Sequence, residues 1–320
     1  MARSATVSPA LRKWIVRAAG SATILGVIFW MVPREAIIEG FARIPPALFL
    51  AVFALFVAGH VVAAAKWWNI LHRALRFPVA LRAHFAGLTA NLCLPGAAGG
   101  DTVRAAIAYA SLRDFGKVAA GAAADRLIDM VALACLCLTG LALSDDAGDG
   151  GRMAVMALGL VLLAGLSVFY VLPWVLLWLA ERFPRLPGHA HALNLAAALT
   201  RLGRAPGLLF VTLGISVLVQ GGFIVLNYLF AKSVGVTVPL AAWAFAWALA
   251  KVIAVLPVSL GGLGLREATL AALLAPYGAD AAHVVTAGLA WQAVLFLTGG
   301  LGGLVLTLSG AKLRPAMPVE

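Results

Sequence analysis

The chain contains 320 residues, of which 63% are hydrophobic and 12% are charged. Soluble domains carry about 25% charged residues, so this composition excludes an ordinary soluble protein. Apolar runs of about 20 residues recur from end to end and predict an integral membrane protein. The net charge of +11 would suggest nucleic-acid binding in a soluble protein. In a membrane protein it is explained by Lys and Arg in cytoplasmic loops, so no nucleic-acid partner is expected.

Six apolar segments are long enough to cross a bilayer as helices. The first follows Arg12 and Lys13, as a signal peptide would. It continues to Val32 without a small-x-small cleavage site and is interpreted as a retained span. The predicted spans are residues 14–32, 46–65, 118–143, 153–180, 207–230 and 281–309. We expect a single transmembrane domain over residues 1–320.

Two further apolar segments, about 80–112 and 240–277, are interrupted in the middle by Pro and Gly. Irregular backbone at membrane depth is tolerated only inside protein or beside water. These segments are therefore predicted to be re-entrant helical hairpins. The predicted fold is an all-α integral membrane protein with six full transmembrane helices and two re-entrant hairpins.

The distribution of basic residues predicts the orientation. If the N-terminus is cytoplasmic and each hairpin returns to the side it entered from, the outer loops hold only Arg34, Arg43, Arg152 and Lys232. The other loops are much richer in Lys and Arg, as the positive-inside rule requires. We therefore expect a multi-pass inner-membrane protein with both termini in the cytoplasm. The segment 188–205 is predicted to be an amphipathic helix on the inner surface.

A repeated phrase links the two broken segments. Leu94-Pro95, Gly99-Gly100 and Arg104 recur at the same spacing as Leu256-Pro257, Gly261-Gly262 and Arg266. In the predicted topology the two copies enter the membrane from opposite faces. The two halves of the chain, about 10–145 and 150–312, are therefore predicted to form an inverted repeat. Such repeats are typical of secondary transporters, whose broken helices form the substrate site. The alternative is that Pro and Gly kink two buried helices and allow close packing.

The residues after each break have the chemistry of an anion site. A helix is expected to begin at each Gly-Gly pair, where unpaired N–H groups and the helix dipole favour anions. Arg104 and Arg266 follow about one turn later, and a guanidinium binds phosphate through two hydrogen bonds. The alternative for each arginine is a structural ion pair, with Asp101 capping the first helix and Glu267 neutralising Arg266.

Asp125, Arg126 and Asp129 form a third motif at the start of a predicted span. The two carboxylates are four residues apart and share one helix face. They are suited to pair with Arg104, to bind a cationic headgroup or to take up protons. The alternative is a solvated helix end near the cytoplasm.

Three isolated polar residues are secondary candidates. Lys251 and Gln292 lie in apolar segments, where polar side chains often mark function. Asn91 precedes the first break and is expected to satisfy backbone groups that the break frees. The primary candidates for lipid binding are Gly99, Gly100, Asp101, Arg104, Asp125, Arg126, Asp129, Gly261, Gly262, Arg266 and Glu267, with Pro95 and Pro257 as the helix breaks.

The sequence contains three motifs in order: Asn91 to Arg104, Asp125 to Asp129, and Leu256 to Glu267. Together they resemble the lysylphosphatidylglycerol synthase transmembrane-region family. This flippase-like family includes the membrane domain of multiple peptide resistance factor. The resemblance implies a protein that translocates lipids between leaflets. Fused relatives carry an aminoacyl-lipid synthase, but this sequence ends at Glu320, so aminoacyl transfer is not expected. The substrate implied is a phospholipid, an aminoacyl-phospholipid or an isoprenoid- or hopanoid-type lipid.

No motif of a zinc protease, serine hydrolase or P-loop enzyme occurs, and the histidines lack metal-ligand spacing. We therefore expect no enzymatic activity, metal or cofactor. Two alternatives stay open. One is an intramembrane lipid-modifying enzyme that uses Arg104, Asp125 and Arg266. The other is an accessory subunit bound to a lipid-synthesis enzyme.

Overall fold

The computed structural model describes residues 15, 22, 23, 26, 30, 34–93, 99–144, 148–185, 188–254 and 264–308. Regular structure in these residues is entirely helical, which confirms the predicted all-α class. The helices are α1 (Arg34–Ala42), α2 (Pro46–Ile70), α3 (Phe77–Cys93), α4 (Gly99–Leu112), α5 (Phe115–Ala142), α6 (Gly148–Arg182), α7 (His189–Gly203), α8 (Pro206–Val234), α9 (Leu240–Ile253), α10 (Leu265–Leu274) and α11 (Ala281–Leu308). A 3-10 turn, Ala275–Tyr277, follows α10.

Four helices in the described part of the chain are long and apolar enough to cross a membrane. They are α2, the Gly159–Arg182 part of α6, α8 and α11. Each contains most of one predicted span, and the protein is therefore a multi-pass membrane protein. Helix α5 has 28 residues but carries charged side chains in its first half, and it is not one of these four helices. The predicted span 14–32 lies mostly outside the described residues. The total of six spans stays a prediction.

Local sequence explains where several long helices begin and end. Helices α2 and α8 each begin with a proline, which needs no hydrogen-bond acceptor in the first turn. Helix α5 begins after Asp114, whose carboxylate accepts the N–H of Lys117 at 2.9 Å, as an N-cap residue does. Helix α8 ends before Gly235, whose φ of 107° is left-handed and favours glycine.

The two broken segments each form a pair of short helices. Helix α3 ends at Cys93 and α4 begins at Gly99, and the two pack together. Helix α9 ends at Ile253 and α10 begins at Leu265, and these also pack together. The four helices have 10 to 17 residues and are about 15–26 Å long, so each is shorter than a hydrocarbon core of about 30 Å.

The predicted break residues Pro95, Pro257, Gly261 and Gly262 lie outside the described residues. The re-entrant path of both segments and the inverted repeat therefore stay predictions. The predicted amphipathic segment 188–205 does form a helix, α7, which packs against α5 and α6. Its place on the inner surface is a prediction.

The largest hydrophobic core joins α8, α9 and α11 to α2. Large side chains fill it, including Phe56, Phe230, Trp243, Trp247 and Trp291. The two predicted halves also touch directly, because α11 packs on α3. There the Thr89 hydroxyl donates to the Gly299 carbonyl at 2.8 Å. The charged residues of the next section are thus held in one bundle rather than in two separate halves.

Gly140 permits close contact between α5 and α9 and supplies a stability prediction. A Cβ atom there would lie 2.6 Å from the Phe245 amide nitrogen and 2.7 Å from the Ala241 carbonyl oxygen. Because these are backbone atoms, Gly140→Ala must push the helices apart, and we expect it to lower the free energy of unfolding by about 1–3 kcal/mol. Thermal unfolding in detergent measures the change. Gly214→Ala is the matched control, since nothing lies within 4 Å of its Cβ position; equal stability of both variants would contradict the prediction.

Candidate functional site

A buried lysine lies at the centre of the strongest group of charges. The Lys66 ammonium on α2 lies 2.9 Å from the Asp125 carboxylate and 2.5 Å from the Asp129 carboxylate. It also donates to the Ser216 hydroxyl on α8 at 2.8 Å, and that hydroxyl donates to Asp129 at 2.8 Å. Lys66 is only 2% exposed. Its ion pairs connect α2 with α5, and its hydrogen bond to Ser216 connects α2 with α8.

Arg104 extends the same group to α4. Its Nη1 donates to Asp125 at 2.8 Å, and its guanidinium stacks over the Trp67 ring at 4.6 Å. Its Nη2 lies 3.4 Å from the Asp101 carboxylate. The Nε and Nη2 atoms of Arg104 are buried and have no hydrogen-bond partner among the described residues.

Asp101 closes the group through a second arginine. Arg126 donates two hydrogen bonds of 2.6 Å to the two Asp101 oxygens, which is the bidentate geometry that makes such pairs strong. We call Lys66, Asp101, Arg104, Asp125, Arg126 and Asp129 the first charge cluster. It contains three cations and three carboxylates and is therefore neutral as a unit.

The second charge cluster consists of Arg266, Glu267 and Gln292. Arg266 is ion-paired with Glu267 through Nη2 and Nε, and its Nη2 also donates to Gln292 at 3.2 Å. The other Glu267 oxygen accepts the N–H of Gly264 at 2.9 Å and so satisfies a donor at the start of α10. Glu267 is 2% exposed. This cluster is also neutral.

Lys251 on α9 is a further cation that interacts electrostatically with both charge clusters. Its ammonium donates to the Gln220 side chain at 2.6 Å and lies 5.0 Å from the Trp247 ring and 6.0 Å from the Phe223 ring. No carboxylate among the described residues forms an ion pair with it. Its electrostatic interactions include Asp129, Arg126 and Lys66 of the first cluster and Arg266 of the second. Lys251 thus has aromatic and amide neighbours but no ion-pair partner among the described residues.

The first Gly-Gly pair is used for close packing. The Gly100 N–H donates to the Asn91 side-chain oxygen at 2.9 Å, which confirms the role predicted for Asn91. A Cβ atom on Gly100 would lie 2.4 Å from that oxygen and 2.4 Å from the Gly87 carbonyl. Gly99 is partly exposed at the first turn of the same helix. Lipid binding by either glycine stays a prediction.

The structure brings several predicted residues together and adds others. Arg104 pairs with Asp125, and Arg266 pairs with Glu267, as two of the predicted alternatives required. Arg104 and Arg266 belong to different clusters. Sequence reasoning missed Lys66 and Ser216 as members of the site. The predicted span 46–65 ended just before Lys66, which placed that lysine at a membrane boundary.

Comparison with curated proteins finds no match. The family described as "Lysylphosphatidylglycerol synthase TM region" matches residues 14–303. The match includes both charge clusters, Lys251 and both pairs of short helices, and it indicates a lipid-related function in the membrane. The chain therefore belongs to the lysylphosphatidylglycerol synthase transmembrane-region family.

Proposed function

We propose that the protein translocates lipids with an anionic, phosphate-bearing headgroup between the leaflets of the membrane. The observation that carries this proposal is that the Lys251 ammonium interacts with two neutral clusters but forms no ion pair with a carboxylate among the described residues. A charged side chain in a membrane helix costs about 2.5–3.5 kcal/mol on insertion scales. A bound phosphate would supply the counter-charge that the protein does not.

The hydrogen-bonding capacity of Lys251 supports the same proposal. An ammonium has three N–H donors, and among the described residues only Gln220 accepts one of them. The aromatic faces of Trp247 and Phe223 stabilise the cation without using a donor. Two donors are therefore left for the oxygens of a headgroup. The free Nε of Arg104 is a further donor on the first charge cluster.

The arrangement of helices suggests how the headgroup moves. We infer that it enters laterally from one leaflet and binds at Lys251, while the acyl or prenyl tails stay in lipid. The short helix pairs α3–α4 and α9–α10 would then expose the site alternately to each side, as broken helices do in transporters. In this proposal Arg104 and Arg266 flank the headgroup, and the carboxylates beside them keep the two clusters neutral, so Lys251 supplies the one uncompensated charge among the described residues of the site.

Lys251 supplies the direct test. Purified protein is reconstituted into liposomes with labelled phosphatidylglycerol, and the rate at which the label becomes accessible on the other leaflet is measured. We expect Lys251→Gln to lower this rate at least about tenfold, because one charge-assisted contact to the headgroup contributes about 1.5–3 kcal/mol. Lys251→Arg keeps the charge and should retain more of the rate.

Lys232→Gln is the matched control, because Lys232 is exposed at the last turn of α8, and its rate should equal that of the wild type. A folded Lys251→Gln variant with an unchanged rate would reject the proposed headgroup site. The same liposomes test the alternatives. A lipid recovered with altered mass would indicate a lipid-modifying enzyme, and absence of movement for every phosphate-bearing lipid would favour an accessory subunit.

A further inference from the structure

Two histidines on neighbouring helices form a hydrogen-bonded pair inside the bundle. Nδ1 of His60 on α2 lies 3.1 Å from Nε2 of His84 on α3. Aromatic rings surround His60, with Phe56 at 4.5 Å and Phe223 at 5.1 Å between ring centroids. Neutral imidazole carries one donor and one acceptor nitrogen, so a single proton bridges the two rings.

Two nitrogens of the pair lie outside the bridge. One of them, Nδ1 of His84, is buried and has no hydrogen-bond partner among the described residues. A buried polar atom without a partner requires an explanation. In the tautomer in which Nε2 of His84 donates to Nδ1 of His60, Nδ1 of His84 has a free lone pair, and a proton can add there without breaking the bridge.

The pair lies next to the proposed headgroup site. Four charged groups act on the pair. Lys251 on α9 acts on His60. Arg104 on α4, Asp125 on α5 and Lys66 on α2 act on His84. Burial of both rings disfavours an added proton, and three of these groups are cations that repel it. A headgroup phosphate bound at Lys251 cancels part of that repulsion. Binding of the anion and binding of the proton therefore strengthen each other, as thermodynamic linkage requires.

This inference rests on the proposed function. We propose that the His60–His84 pair binds a proton and that translocation is a symport of one lipid anion with one proton. The proton comes from a hydronium ion on the side to which the pair is open, and its O–H bond breaks as the N–H bond at Nδ1 of His84 forms. On the other side this N–H bond breaks and a water molecule takes up the proton. With a singly charged headgroup the cycle moves no net charge.

The acidic residues are less suited to this role. Asp125 accepts from Arg104 and lies in an ion pair with Lys66, and Asp129 is paired with the same ammonium. Protonation of either carboxylate would break an ion pair of Lys66 and leave the first charge cluster with an excess positive charge. The histidine pair takes up a proton without losing a contact. This is why we assign the coupling site to the histidines and not to Asp125 and Asp129.

The experiment uses liposomes that contain the whole protein, labelled phosphatidylglycerol and a pH gradient of one unit. Symport with one proton converts a tenfold proton gradient into up to about a tenfold lipid gradient, so the label should accumulate in the leaflet on the alkaline side. A membrane potential should not change the ratio. His60→Gln/His84→Gln should translocate the lipid without a gradient but show no accumulation with one.

His283→Gln, at the start of α11, is the matched control and should accumulate the label as the wild type does. Translocation by the wild type with no response to the gradient would overturn the symport and leave the proposed function standing. Absence of translocation by the wild type would overturn the proposed function itself. A pH dye trapped in wild-type liposomes gives a readout that needs no variant. Proton movement should accompany the translocation of phosphatidylglycerol and should be absent with a zwitterionic lipid. Equal proton movement with both lipids would also overturn the symport.

Discussion

Replacing Asp125 with asparagine is expected to lower the free energy of unfolding by about 3–5 kcal/mol, the usual effect of removing one partner of a buried ion pair. Asp125 is 4% exposed and contacts both Lys66 and Arg104. The variant gives the first charge cluster an excess positive charge, and the new amide N–H₂ group faces one of the two cations. Steric-trap or SDS unfolding in lipid–detergent bicelles measures the loss.

Two further variants make the Asp125 result specific. Asp114→Asn is the control, because Asp114 is exposed at the start of the same helix and asparagine is an equally good N-cap; its stability should stay within about 0.5 kcal/mol of the wild type. Asp125→Asn/Lys66→Met restores neutrality and should recover much of the loss. An Asp125→Asn protein as stable as the wild type would show that the ion pairs contribute little.

The second large effect is expected at the other cluster. Glu267→Gln leaves Arg266 buried without a counter-ion, since the two form the ion pair of that cluster. We expect a loss of about 3–5 kcal/mol in the free energy of unfolding. The bond from the Gly264 N–H to the side chain can be kept by the glutamine oxygen, so the loss reports mainly on charge. The same unfolding measurement applies.

Neutralisation of both partners separates charge from shape at this cluster. Arg266→Met/Glu267→Gln removes the cation and should be more stable than Glu267→Gln alone, because the uncompensated charge is gone. Glu39→Gln on α1 is the control, since Glu39 is exposed, and it should change stability by less than about 0.5 kcal/mol. A double variant less stable than the single one would show that Arg266 is held by contacts other than Glu267.

Most helices were predictable because their signals are local. Apolar runs of the required length gave spans that fall within α2, α6, α8 and α11. Helix α3 ends two residues before Pro95, where proline disfavours the helical conformation of the preceding residue. The predicted span 46–65 was five residues too short, because the charge of Lys66 was taken as the end of the apolar run. The helix continues to Ile70 because distant carboxylates neutralise that charge.

The pairings within the site were predictable only where partners share a motif. Glu267 follows Arg266 directly, and Asp125 carries the charge opposite to that of Arg104. The sequence analysis therefore included the ion pairs Arg266–Glu267 and Arg104–Asp125 among its alternatives. The contacts of Lys66 with Ser216 and of His60 with His84 cross 150 and 24 residues. No spacing rule relates such positions, since the helix packing that unites them depends on the whole bundle. Lys251 was identified as a candidate, but its lack of a carboxylate partner is a property of the folded protein.

The long sequence separation within the first charge cluster has a consequence for biosynthesis. Lys66 leaves the ribosome 63 residues before Asp129 and 150 residues before Ser216, so α2 must insert while its ammonium has no partner. Helix α2 has 25 residues, about five more than a bilayer requires, and Lys66 lies near its end. The nascent helix can therefore hold Lys66 among the lipid headgroups and slide inward when α5 arrives, which makes the arrival of α5 the step that fixes the depth of α2.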